Sequence, residues 1–334
     1  MPGILSPLGE QYAFGYGRIG VLQQHLLTTQ DIDRLLGAHN EEELRRILSE
    51  IRFTARVMPQ EHLRDIVPAM ERWLRDELEK MTPPDKREVF HILWLREDAP
   101  MIAYYLKKYH RFTSAVSVEP RAAVTGYDMH LVRALILEDR AAATLPRDLV
   151  AFIEQIKKDK VAPQRIDSAV AQYIALRQQS IARKSGSALV RRYTAHLVDL
   201  QNIRTARRLP EAERARFHFI EGGDIGVEAL TKNLDALSAL IRQSSLANVV
   251  AQSVEQGEES SVLLERGLNK GLAHDIAAMR GVPLSIEPLF SFAVIALSHI
   301  MVIRTVIIGK AAGLAAEDIK VMLPPFFSTS FAAA

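Results

Sequence analysis

Residues Tyr193 to Gly223 read YTAHLVDLQNIRTARRLPEAERARFHFIEGG. Tyr193, Leu197, Leu200, Ile203 and Ala206 recur every three or four positions, the stripe of a helix packed on one side. Asp199 and Asn202 stand three apart on a neighbouring face, where the stripe meets the polar surface. Short polar side chains at such an edge hydrogen-bond a nearby backbone and fix the register of two elements. Arg204, Arg207 and Arg208 load the last turn with positive charge, which suits the negative end of the helix dipole. Pro210 ends the helix, and Gly222-Gly223 closes the connection that follows.

Working outward, the same pattern returns earlier in the chain. Asp98 to Lys107 overlays Asp199 to Arg208 without a gap: Asp98 falls on Asp199, Ile102 on Ile203 and Lys107 on Arg208, while Met101 replaces the asparagine. A period of about 100 residues is far longer than that of a solenoid. It predicts an all-α chain of triplicated helical subdomains, with the third equivalent position near Ser298. The remaining segments agree. Thr29 and Asn40 are set to cap the helices that follow them, the second running over 41–51. Helical periodicity extends over 61–81, with Pro68 expected to kink it or mark a boundary. It resumes over 128–137, 147–160, 163–183, 227–241, 246–254, 260–279, 288–312 and 316–323, and no convincing period-two strand appears.

Composition narrows the function classes. In 334 residues, 42 lysines and arginines nearly balance 40 acids, so no bulk field marks a nucleic-acid or lipid binder. Without cysteine, disulfides and thiolate metal sites are excluded, which fits a reducing compartment. The N-terminus reads as no signal peptide. The most apolar stretch, 289–303, is shorter than the roughly 20 residues of a membrane span and reads as a buried helix.

Candidate chemistry fails on its own terms. Gly15-Tyr16-Gly17-Arg18-Ile19-Gly20 satisfies GxGxxG, but a dinucleotide loop needs a strand before it and a parallel sheet around it. Close helix packing through glycine is the expected role. Gly309-Lys310 lacks the upstream glycine and following hydroxyl of a phosphate loop, since Arg304 and Ala311 hold those positions. The ten histidines show no metal-ligand spacing, and His299 on an apolar helix reads as a core residue. No GxSxG nucleophile motif occurs. No catalytic residue, cofactor or metal is assigned.

The run DLQNIRTARRL followed by Gly-Gly resembles the middle hallmark of the family of C (or d) subunits of V-type and A-type rotary ATPases. The opening is similar to that family's too: Tyr12-Ala13-Phe14, Arg18-Ile19, Leu26-Leu27, Asp31 and Leu35-Leu36. So is the close, with Arg304, Gly309-Lys310, Gly313-Leu314, Glu317 and Ile319. One departure stands out, because Ala296-Leu297-Ser298-His299-Ile300 replaces the charged or Asn residues frequent there.

The resemblance implies three similar subdomains (1–115, 116–223 and 224–334) around a pseudo-threefold axis in a funnel. It implies a non-catalytic central-stalk role on the cytoplasmic face, coupling the D and F subunits of the shaft to the membrane proteolipid ring. Asp98, Asp199, Asn202, Arg204 and Arg304 are its hallmark and interface candidates. Two other classes stay open on sequence alone. One is a helical scaffold or regulatory protein of another assembly. The other is a helical nucleic-acid binder using Arg204, Arg207, Arg208, Arg214 and Arg216, against which the nearby Glu211, Glu213 and Glu221 argue.

Overall fold

A computed structural model describes residues 7–112, 118–140, 143–159, 162–214, 217–231 and 261–324. Among these the regular structure is helical throughout, with no strand. In chain order the α-helices are α1 (Pro7–Glu10), α2 (Ala13–Gln23), α3 (Thr29–Gly37), α4 (Glu41–Glu50), α5 (Arg52–Ala55), α6 (Leu63–Met81) and α7 (His91–Tyr109). There follow α8 (Met129–Leu137), α9 (Arg147–Lys158), α10 (Pro163–Lys184), α11 (Ala188–Arg208), α12 (Glu211–Arg214) and α13 (Val227–Leu230). The last are α14 (Ser261–Arg280), α15 (Ile286–Ala311) and α16 (Ala316–Met322). The helix expected over 246–254, most of the one over 227–241, and Arg216 lie outside the described residues.

The chain forms two compact units. The first joins the residues up to Arg87 with those from Ile276 onward, so both ends of the chain share it; the second is Glu88–Asp275. In the first unit α15 is the core. It is apolar around its whole circumference, long enough by length and composition to cross a membrane, yet mostly buried against α6, α2, α3 and α16. A helix apolar on every face needs neighbours around it, and these four cover most of its circumference, leaving an edge through Met301 and Ile308 exposed. Phe290, Phe292, Ile300 and Ile303 are fully enclosed.

Two glycines make that packing possible. A Cβ on Gly15 would stand 2.5 Å from the Met81 carbonyl oxygen and 3.1 Å from Leu289 Cδ2, so α2 approaches the end of α6 only through hydrogen. The GxGxxG run therefore lies inside a packed helix, although Gly17 and Gly20 face open space and take no part. A Cβ on Gly309 would meet Ile319, so this glycine seats α16 on α15. Lys310 donates to the carbonyls of Leu36 (2.5 Å) and Ala38 (2.8 Å), closing the C-terminal end of α3.

One local expectation is corrected and another narrowed. The cap of α3 is Thr28, not Thr29. Thr28 Oγ1 accepts from the Asp31 amide at 3.1 Å while Asp31 Oδ2 accepts from the Thr28 amide at 2.9 Å, a reciprocal box that needs the three-residue spacing. Pro68 marks no boundary, since α6 runs through it. Placed in the second turn, its ring removes only the bond to the Arg64 carbonyl, near the helix start. Asn40 caps α4 as expected, accepting from the Glu43 amide at 2.8 Å.

In the second unit α7 lies along α10 and α8, and α10 along α11. Gln178, buried in α10, donates to the Ile92 carbonyl at 2.7 Å. Ala175, Val198 and Ile220 pack together where α10, α11 and the chain after Phe219 meet.

Candidate functional site

Three long helices each present one buried acceptor to the start of a short helix. On α7, Asp98 is fully buried and accepts from the Gly126 amide (3.0 Å to Oδ1, 3.1 Å to Oδ2) and the Tyr127 amide (3.0 Å). Asp128, the next residue, caps α8 by accepting from the His130 amide. On α11, Asp199 is fully buried and accepts from the amides of Asp224 (2.9 Å) and Ile225 (3.1 Å), immediately before Gly226 starts α13. On α15, His299 Nδ1 accepts from the Leu27 amide at 3.0 Å, immediately before Thr28 caps α3.

The rule is the same each time. The amide just ahead of the N-cap, on a buried Tyr127, Ile225 or Leu27, is held by the long helix. Such an amide lies outside the helix and has no partner within it, so an acceptor must come from elsewhere. Acceptors on consecutive clasps are about 100 residues apart, the interval of the sequence overlay.

Glycine completes the two aspartate clasps. A Cβ on Gly126 would lie 2.8 Å from Asp98 Oδ2 and 3.0 Å from Leu95 Cδ2, and one on Gly223 would overlap Asp199 Oδ1. Of the Gly-Gly in the hallmark, Gly223 is thus needed for close approach of the loop to the carboxylate, while Gly222 has a positive φ and lies against Gln179. Asn202, one turn on from Asp199, binds the same loop from both ends of its amide. Its Nδ2 donates to the Ile220 carbonyl at 2.7 Å and its Oδ1 accepts from the Ile220 amide at 3.0 Å.

The third position falls one residue beyond the expected Ser298, whose hydroxyl donates within its own helix, to the Ile295 carbonyl (2.7 Å). An imidazole does there what a carboxylate does in the other two clasps. Because the amide can only donate, Nδ1 is the unprotonated nitrogen of a neutral ring. Phe53 meets the ring edge-on with centroids 6.2 Å apart. The interval of 101 residues from Asp98 to Asp199, carried forward once more, falls on Ile300, the neighbour of His299.

Arg304 donates to Glu71 at 2.6 Å, tying α15 to α6. Arg204 and Arg207 are half-buried on α11, Arg208 is exposed and Arg214 is buried. Sequence reasoning missed a further cluster one turn before Asp199. Buried His196 Nδ1 lies 2.5 Å from Asp275 Oδ2, Arg192 Nε donates to Asp275 Oδ1 at 2.8 Å, and His196 Nε2 is 3.8 Å from Asp224 Oδ2. Nothing in its spacing announces it, because Asp275 comes from α14, far along the chain.

Burial pushes the Asp199 carboxyl up to about 6, although the Ile225 and Asp224 amides favour its charged form. Glu77 shows the opposite balance. Burial raises it, but hydrogen bonds from Arg18 (2.9 Å) and Lys80 (3.2 Å) outweigh this and hold it below the usual range. Among the described residues no three His, Asp or Glu side chains gather as metal ligands. The arrangement is suited to holding helices at fixed offsets.

The sequence profile of the ATP synthase (C/AC39) subunit family matches residues 16–322, nearly the whole chain. The chain belongs to that family. A similar protein is the C subunit of the A-type ATP synthase of Halorubrum lacusprofundi, 24% identical over 259 residues that cover 66% of this chain and 72% of its relative. This C/AC39 protein carries all three clasps inside the matched region, from Leu27 to His299.

Proposed function

We propose that this C/AC39 protein is a non-catalytic central-stalk part of its rotary complex. In this reading it receives the D and F subunits of the shaft on one side and the membrane proteolipid ring on the other. It associates peripherally with the cytoplasmic face and transmits torque, with no bond made or broken in this chain. Its three repeats approximate 1–115, 116–223 and 224–334, and the third takes its clasped loop from the N-terminal segment.

The observation that carries the reading is the set of three buried clasps. A coupling that turns under load must keep its helices from sliding. A backbone amide bound to a buried acceptor is costly to break because both groups would be left unpaired. Family membership over 16–322 supports the same reading.

Reconstitution tests it. Immobilised chain should retain purified D–F shaft and, separately, detergent-solubilised proteolipid ring, and should bridge the two in one complex. Retention of neither would refute the rotor role. Calorimetry with ATP should show no saturable binding at micromolar concentration. Binding abolished by substitution at Gly17 would restore the dinucleotide-loop alternative.

A further inference from the structure

Arg183, Arg191 and Arg192 line one open concavity of about 270 Å³ in the second unit, together with Gln179, Thr194 and Asp224. Arg183 comes from the end of α10 and the other two from the first turns of α11. The turn between these helices, Ser185 to Ser187, folds the chain back on itself and so brings the three arginines to one concavity. Arg183 and Arg191 are exposed. Arg177, two turns earlier on α10, is paired with Glu88. Arg183 and Arg191 have no such acid within the described residues.

Arg192 is different. Its Nε is committed to Asp275, while its Nη2 is buried and has no hydrogen-bond partner among the described residues. A buried guanidinium N–H without an acceptor is costly, and a carboxylate reaching it as the partly exposed side chain turns outward would relieve that cost. The acids already there do not do so: Asp275 is shared between Arg192 and His196, and Asp224 faces His196. Gln179 is turned aside as well, because its Nε2 donates to the Gly222 carbonyl at 2.9 Å.

We infer that this concavity docks an acidic segment of a partner protein, whose side-chain carboxylates engage Arg183, Arg191 and the free edge of Arg192. Charge complementarity selects the class. A single small anion gains little from two exposed guanidiniums in water. Consecutive carboxylates on one chain engage all three at once, with the later contacts made at high effective concentration. The inference does not depend on the rotor reading, since an acidic partner would fit this site in any assembly.

The test uses the full chain and fluorescently labelled hexaglutamate, followed by anisotropy. Saturable binding is expected, weakening as salt rises. The double variant Arg183→Glu/Arg191→Glu should lower affinity about tenfold or more, as charge reversal at a complementary rim does. Lys158→Glu/Arg165→Glu, an equal charge change at exposed positions elsewhere, should leave it within about twofold.

Equal loss in both variants would reduce the effect to net charge and overturn the inference. So would displacement of the peptide by inorganic phosphate at matched charge, which would mark a small-oxyanion site. Should the glutamate pair unfold the chain, Arg183→Gln/Arg191→Gln makes the same measurement, and unchanged peptide affinity there would overturn the inference as well.

Discussion

Asp199 sets a pH dependence whose direction follows from its surroundings. Its carboxyl is raised to about 6 by burial, against about 3.9 for an unfolded chain. A raised folded value means that stability from this group is fully present below the unfolded value and is lost as pH rises through about 6. Two pH units correspond to about 3 kcal/mol. The stability advantage of the parent over Asp199→Asn, from urea unfolding, should therefore shrink by up to that amount between about pH 4 and pH 7. A carbon-detected titration of the Asp199 carboxyl should show its midpoint near about 6.

Asp199→Ala, which removes the acceptor of two amides, should lower stability by about 1–3 kcal/mol, more if both donors stay dry. His299→Phe should cost a similar ~1–3 kcal/mol by orphaning the Leu27 amide.

At the scale of elements, glycine positions separate packing from chance. Gly15→Ala puts a Cβ 2.5 Å from a backbone oxygen of α6, so α2 must shift, and a loss of about 1–3 kcal/mol is expected in thermal or urea unfolding. Gly17→Ala and Gly20→Ala meet nothing and should stabilise by up to about 1 kcal/mol, as alanine does inside an exposed helix. A dinucleotide loop would predict loss of function at all three positions alike. Gly223→Ala, forced against Asp199, should lower the melting temperature while leaving helix content intact. If it melted like the parent, the loop would have an alternative seat and the clasp would be dispensable.

For the whole molecule, the joining of both chain ends in one unit has a measurable consequence. The Leu27–His299 and Arg304–Glu71 contacts join segments 272 and 233 residues apart, so removing α2 and α3 should expose the apolar faces of α15, and removing α15 should expose the faces of α2, α3 and α6 that pack on it. A chain ending before Ile286 should lose cooperative unfolding in its first unit and bind hydrophobic dye. On the proposed rotor role, the Asp199→Ala and Asn202→Ala variants should lose shaft retention in proportion to their loss of stability, because these side chains are spent on the backbone of their own loop. Parent-like melting with abolished shaft retention would make them direct contacts.

Helix type, the cap at Asn40, and the repeat of Asp98 in Asp199 were legible in the sequence, because periodicity, capping and repetition are local properties of the chain. The amide partners of Asp98 and Asp199 were not legible. They stand 25 to 29 residues away, at a distance set by how far α8 and α13 swing back. His299 is the sharpest case. As a residue type it reads as one more core histidine, and its role depends on a loop from the opposite end of the chain. The Arg192–Asp275–His196 cluster was invisible for the same reason. Burial and ion pairing between distant segments are decided by which helices come together, and that choice belongs to the packed core rather than to any one stretch of sequence.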